Sequence, residues 1–157
     1  MSTKPHFEQL GTWEAARRRL DFELVAPHET SGYHLSSLSV FVRDHKMREV
    51  PPEKQSLEAH YGGFVFTQSR PGTEAARHAV REVSYGTAPR AEQIGHCEAR
   101  VYERGPEPEP DYPDGRMPAV VVWSDEDRFY LLASDLLDAP GLLRIARSVA
   151  PGQRSRG

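Results

Sequence analysis

Residues 119–149 constrain the fold more than any other part of the chain. They contain two runs rich in valine, leucine and aromatic residues, separated by the polar residues 124–127, and then an amphipathic stretch. β-Branched and aromatic residues on both sides of a polar turn are typical of a β-hairpin. The segment therefore predicts a strand, a turn, a second strand and a helix, in that order.

The helix at the end of this segment is predicted from its apolar spacing. Four apolar residues recur at intervals of three or four positions: Leu142, Ile145, Ala146 and Val149. Such intervals place them on one face of a helix. Asp138 is a suitable N-cap, and Pro140 is tolerated in the first helical turn. We expect the apolar face to pack on one side of the hairpin.

The opposite side of the hairpin is also apolar, and the sequence identifies no cover for it. We place four residues on that side: Val120, Val122, Tyr130 and Leu132. Exposed apolar patches beyond a few hundred Å² usually mark a binding surface, so these four are candidate ligand-binding residues. Three covers remain open. They are the chain's own N-terminal helix with its proline-rich loop, a second copy in a homodimer, and an apolar ligand in a cavity.

Shorter patterns complete the secondary-structure prediction. Thr12 predicts the N-cap of a short helix over residues 13–19, and a second short helix is expected after Gly72. Gly62 and Gly63, between two alternating runs, predict a two-residue turn. Alternation predicts extended segments at residues 20–27, 33–43, 57–61, 64–68, 80–85 and 94–103. The remaining connections are predicted as loops, including residues 86–93 and the proline-rich, acidic residues 105–117.

These elements predict one α+β domain over residues 1–157, with residues 1–6 and 153–157 frayed. We expect a mainly antiparallel sheet of six to seven strands, a short N-terminal helix and a packed C-terminal helix. Strands dominate the pattern, and short helices are expected to flank the sheet.

Composition excludes several classes of partner. The formal net charge is −3, which gives no reason to expect a nucleic-acid partner. No apolar run approaches the roughly 20 residues of a membrane span, and residues 1–10 lack the apolar core of a signal peptide. Cys97 is the only cysteine, so no internal disulfide forms and we expect a cytoplasmic location.

Residues that carry chemistry are scattered. None of the common catalytic motifs is present, so we expect no catalytic residue, no cofactor and no enzyme activity. His96 and Cys97 are adjacent on a predicted strand, where side chains alternate between faces. They are therefore not expected to share a metal ion, and no metal site is predicted. Cys97 lies on the apolar side of its strand, which predicts a buried, unreactive thiol.

Two function classes follow. The favoured hypothesis is a non-enzymatic binding or regulatory module, which holds an apolar small molecule or a partner protein on the sheet. The alternative is a small hydrolase or metal-dependent enzyme that uses some of His60, His78, His96 and Cys97. Stoichiometric zinc or iron in the purified protein would favour the alternative.

The chain also resembles a known family in the order of its segments. The matching pieces are FEQLGTWEAARRRLDFELVAP, GYHLSSLSV, HYGGFVFTQS, IGHCEARVYE and VVVWSDEDRFYLLAS with LLRIARSV. They resemble an uncharacterised bacterial domain family that is often C-terminal in membrane-anchored proteins of anti-sigma-factor type. That family is similar in outline to the half-barrel of periplasmic lipoprotein carriers. The resemblance implies a curved antiparallel sheet that wraps helices over an apolar cavity, and a sensor or ligand-binding role with lipid or peptide as ligand.

Overall fold

The computed structural model describes residues 6–44, 46–51, 54–83, 88–105, 108–109, 112–116 and 118–149. In chain order its elements are β1 (His6–Leu10), α1 (Trp13–Arg19), β2 (Leu35–Arg43), β3 (Ser56–Tyr61), β4 (Phe64–Ser69), α2 (Thr73–Glu82), β5 (Arg90–Ile94), β6 (Cys97–Tyr102), β7 (Pro108–Glu109), β8 (Tyr112–Arg116), β9 (Ala119–Asp125), β10 (Arg128–Ser134) and α3 (Ala139–Arg147). The predicted frayed ends lie outside these residues, except that His6 already begins β1.

Eight of the described strands form one antiparallel sheet, in the order β1-β2-β3-β4-β10-β9-β6-β5. The predicted hairpin, β9 and β10, occupies its middle: β10 pairs with β4 on one side, and β9 pairs with β6 on the other. The sheet does not close on itself, since β1 and β5 are its two edges. The α+β class and the mainly antiparallel, curved sheet are therefore as predicted.

The strand count was predicted too low, because both edge strands lack a clear apolar pattern. β5 was predicted as loop, and only Ile94 among its five residues is buried. Gly95, at a φ of +60°, and His96 form the turn that joins β5 to β6. Two predicted extended segments differ from the structure: residues 80–82 belong to α2, residues 84–85 lie outside the described residues, and residues 20–27, here called the crossing segment, make no strand pairing.

One face of the sheet carries the main core. The apolar residues of α3 are buried there as predicted, together with Ala16 of α1. Leu20, Phe22 and Leu24 of the crossing segment, each 6% exposed, join the same cluster. Trp123, which is fully buried, stacks on Tyr130 with ring centroids 5.2 Å apart. We call this side the core face.

A buried amide fastens the crossing segment to the core face. Gln68 of β4 is 1% exposed, and its Oε1 accepts a hydrogen bond from the backbone N–H of Val25 at 3.0 Å. Its Nε2 donates to the carbonyl oxygen of Val25 at 2.7 Å. One side chain therefore satisfies both backbone groups of a residue that has no strand partner, which removes the cost of burying them.

The other face of the sheet, here the α2 face, is covered by α2. A small apolar cluster forms there, made of Val80, Tyr102, Val120 and Val122. The Tyr102 hydroxyl donates to the carbonyl oxygen of Val83 at 2.6 Å, which ties the end of α2 to β6. The second face of the hairpin is thus covered by the chain itself, but by α2 and not by the predicted N-terminal helix, which packs on the core face.

Residues 105–117 were predicted as a loop without regular structure. Their described part contains a two-stranded ribbon in which β7 pairs with β8 in antiparallel fashion. The described part of the proline-rich segment is therefore a separate two-stranded β-element. None of the helices in the described residues is both long and apolar enough to cross a bilayer.

Candidate functional site

The four residues predicted to bind a ligand do not share a face. The prediction grouped Val120, Val122, Tyr130 and Leu132. In the observed register Val122 lies opposite Leu131, and Tyr130 lies opposite Trp123. Directly opposite residues of an antiparallel pair point to the same side of the sheet. Val120 and Val122 therefore belong to the α2 face, and Tyr130 and Leu132 to the core face.

The error comes from the parity of the hairpin. The turn consists of two residues, Glu126 and Asp127, and an even turn pairs even-numbered positions of one strand with odd-numbered positions of the other. All four predicted residues are between 0% and 2% exposed. They are core residues, so none of the four offers surface to an apolar ligand or a second copy.

A different group of side chains meets at one end of the sheet. His96, Cys97 and Asp125 each present one ligand atom, and the three atoms lie within 4.8 Å of one another. The Nε2 atom of His96 is 3.2 Å from Oδ1 of Asp125. We call these residues the three-residue cluster. In the described part of the chain it is the one group of histidine, cysteine and acidic residues close enough to share a metal ion.

Sheet topology brings the cluster together. β6 begins at Cys97 and β9 ends at Asp125, and these antiparallel neighbours pair Ala99 with Trp123. Two residues further along, Cys97 and Asp125 are therefore side by side. His96 lies in the turn and not on the strand, so the alternation of strand side chains does not separate it from Cys97. The prediction placed both residues on the strand, and the structure corrects that placement for His96.

The cluster combines two buried groups with one exposed group. Cys97 is 7% exposed and Asp125 is 2% exposed, whereas the side chain of His96 is 71% exposed. The predicted burial of Cys97 is confirmed. A cavity of about 380 Å³ opens on the cluster, and its other lining residues are Thr73, Arg77, Ser124 and Glu126. A bound ion would have protein on one side and this cavity on the other.

The donor set suits a transition metal. A thiolate, an imidazole and a carboxylate are the three side chains that zinc binds in proteins. Closed structural zinc sites almost always have four protein ligands, whereas catalytic sites have three and keep one position for water or substrate. Three protein ligands beside a cavity match the second arrangement.

Tyr130 contributes to the electrostatics on the buried side of the cluster. Burial raises the pKa of its phenol to about 12, which outweighs the opposing effect of the neighbouring Arg128 guanidinium. The phenol therefore stays neutral at physiological pH and adds no negative charge behind the cluster.

The other histidines proposed from the sequence lie apart from the cluster. His60 on β3 contacts Glu58 at 3.1 Å, and His78 on α2 contacts Glu82 at the same distance. Asp125 was missed, because its position in an acidic stretch after a strand is explained equally well by a polar turn. Only the pairing of β6 with β9 reveals its proximity to Cys97.

A second cavity, of about 470 Å³, lies at the opposite end of the hairpin. Tyr61, Phe64 and Pro118 line it, together with Leu136, which is 61% exposed. Ser134 supports its wall, since its hydroxyl donates to the carbonyl oxygen of Gly63 and accepts from the backbone N–H of Leu136 at 3.0 Å. This cavity is apolar and contains no part of the three-residue cluster.

The fold and the cluster define an α+β protein built on an open antiparallel sheet, with a candidate metal centre at one end. Comparisons with protein-family models, with curated proteins and with solved structures find no match to this chain. The resemblance to the anti-sigma-factor-associated family therefore stays a prediction.

Proposed function

We propose that this protein binds one divalent transition-metal ion, with zinc as the expected metal, through His96, Cys97 and Asp125. The observation that carries the proposal is the convergence of three different donor atoms within 4.8 Å, two of them on buried side chains. This develops the metal-dependent alternative drawn from the sequence and not the apolar binding module.

The open side of the site supports a reaction class. A zinc ion with three protein ligands holds water in its remaining position and lowers the pKa of that water to about 7. Hydrolysis is therefore the chemistry that the arrangement favours. Cys97 and Asp125 would fix the ion from the buried side, and His96 would complete the set from the turn. Glu126 lines the same cavity and is a candidate to accept a proton.

Cobalt(II) tests the metal site, because a thiolate ligand gives this ion a charge-transfer absorption band in the near ultraviolet. Purified protein is loaded with Co²⁺ or Zn²⁺, dialysed and assayed for metal content. We expect one ion per chain and a thiolate band. His96→Ala and Asp125→Asn should weaken metal binding by at least about 100-fold, because outer partners of a metal site already cost 10–100-fold.

The matched control is His78→Ala, which removes an exposed histidine from α2 and should leave metal binding unchanged. Cys97→Ser should remove the band while the protein retains its circular dichroism spectrum. A wild-type protein that retains no metal and shows no thiolate band would contradict the proposal.

An apolar ligand is a second candidate function, favoured by the cavity beside Tyr61, Phe64 and Leu136. The exposed leucine next to two aromatic residues is the observation that supports it. Binding of an environment-sensitive apolar dye tests this candidate. Leu136→Asp should abolish dye binding, and Met47→Asp, which replaces another large exposed apolar side chain away from this cavity, should not.

A further inference from the structure

A groove runs away from the three-residue cluster, between α2 and β6. Its distal part is a cavity of about 280 Å³ lined by Arg77, Arg81, Glu98 and Arg100. Arg77 and Ser124 line this cavity and also the cavity over the cluster, so the two spaces adjoin. We call this space the α2–β6 groove.

The groove places three arginines around one space, with Glu98 as the one carboxylate in the lining of its distal part. Arg77 and Arg81 stand one helical turn apart on α2, and Arg100 faces them from β6. Like charges at this spacing destabilise a helix slightly. Within the described residues these three arginines make no ion pair and no hydrogen bond. By contrast, seven other arginines of the same residues contact a carboxylate: Arg18, Arg19, Arg48, Arg70, Arg90, Arg128 and Arg147.

We propose that the α2–β6 groove binds a phosphate group, as inorganic phosphate or a phosphate monoester, next to the metal. This inference rests on the proposed metal site, since one phosphate oxygen would take the position that the three protein ligands leave open. The other oxygens would accept hydrogen bonds from Arg77. Arg81 and Arg100, in the distal part of the groove, would attract the phosphate through their positive charge without contacting it.

Phosphate fits this combination better than a carboxylate. A phosphate monoester carries a charge of about −1.5 to −2 at neutral pH and has three terminal oxygens. It can therefore contact a metal and a guanidinium at once, and the planar guanidinium pairs with two of its oxygens. A carboxylate has only two oxygens and a single charge. The carboxylates of Glu98, Glu126 and Asp125 balance the three arginines in formal charge, and a bound divalent ion with Cys97 as its thiolate ligand would bring the two adjoining cavities to a net charge of about +1.

Arg77 is the residue that should matter most, because it alone among the three arginines lines both cavities. Its side chain is exposed on a helix, so Arg77→Gln should fold normally. Arg144→Gln on α3 is the matched control. Arg144 is likewise exposed and, within the described residues, has no ion pair, but it does not line the groove.

The experiment uses Co²⁺-loaded protein titrated with inorganic phosphate, followed by visible absorption and by calorimetry. Phosphate should change the cobalt spectrum, and acetate should bind more weakly. Arg77→Gln should weaken phosphate binding at least tenfold and leave Co²⁺ affinity unchanged, and the double variant Arg81→Gln/Arg100→Gln should weaken it less. Arg144→Gln should match the wild type.

The contrary outcomes separate the two proposals. If Co²⁺ binds but phosphate leaves the spectrum unchanged, the phosphate inference fails and the metal proposal stands. The phosphate inference also fails, again without harm to the metal proposal, if phosphate binds the Arg77→Gln protein as tightly as the wild type. If Co²⁺ itself does not bind, the metal proposal fails, and the inference that depends on it fails too.

Discussion

The two faces of the sheet are buried in different ways. On the core face two helices and the crossing segment enclose a large cluster that contains Trp123. On the α2 face a single helix covers a small cluster around Val122, and only Ala76 and Val80 of that helix are buried. The apolar pattern of β9 is equally strong toward both sides. Such a pattern predicts that a face of the sheet is buried, but it does not predict how many elements pack on that face.

The thinner cover has a functional consequence. Because α2 buries such a narrow stripe, Arg77 and Arg81 remain exposed and line the groove beside β6. The candidate site therefore lies at the margin of the α2 face. A thick cover on this side would have filled the same space with apolar side chains.

The largest effect is expected from truncation of the core face at its centre. Trp123→Ala should reduce the free energy of unfolding by about 4 kcal/mol, because it leaves a large cavity under two packed layers. Urea unfolding followed by circular dichroism measures this loss. A loss below about 2 kcal/mol would mean that the surrounding side chains relax into the space left by Trp123. Truncation would then cost no more stability on the core face than on the α2 face.

The second-largest effect concerns residues 20–27, the crossing segment that packs on the core face. Gln68→Ala should cost about 3 kcal/mol, since the N–H and the carbonyl of Val25 both lose their partner on burial. Hydrogen exchange should show faster exchange at Val25 than in the wild type. Ser36→Ala, which removes an exposed hydroxyl contact to the carbonyl of His60, is the control and should cost well under half as much.

The sharpest comparison uses two neighbouring valines of β9. Val121 points to the core face and Val122 to the α2 face, and both are fully buried. Each change to alanine removes two methyl groups, worth about 1.6 kcal/mol of transfer free energy. We expect a total near 2.5 kcal/mol for Val121→Ala and near 1.5 kcal/mol for Val122→Ala, because a lone helix relaxes more easily into the space. Equal losses in thermal or urea unfolding would remove the energetic distinction between the faces.

The smallest effect appears only at alkaline pH, at the rim of the core face. Burial raises the pKa of Tyr61 above its ordinary value of 10.0. Because the pKa is higher in the folded state than in the unfolded state, the contribution of Tyr61 to stability is fully present below pH 10 and is lost as the pH rises further. Tyr61→Phe should abolish this part of the alkaline loss and change little at pH 7. Unfolding curves of both proteins between pH 8 and about 12 that fall in parallel would argue against this assignment.

Local signals in the sequence predicted much of the fold. Thr12 and Asp138 marked the starts of α1 and α3, and both side chains accept the expected backbone hydrogen bond. Gly62 and Gly63 form the predicted two-residue turn between β3 and β4. Each of these features depends on residues within a few positions of one another, and such features are the ones that a sequence reveals.

The candidate site could not be predicted in this way, because it depends on which strands become neighbours. Cys97 and Asp125 are 28 positions apart and meet only through the pairing of β6 with β9. The position of His96 in a turn depends on β5, whose exposed residues gave no strand signal. The cover of the α2 face was left open among three possibilities that did not include α2, since nothing in the α2 sequence says which strands it will cover.

The strand order also bears on how the chain folds as it is synthesised. The two central strands, β9 and β10, come last in the chain, after both flanking groups of strands. When the ribosome has produced residues 6–102, β4 and β6 have no partner on their inner edges. Edges of this kind favour pairing with other chains. The sheet is therefore completed only after the final hairpin emerges, and a nascent chain stalled before residue 119 should depend on chaperones to avoid aggregation.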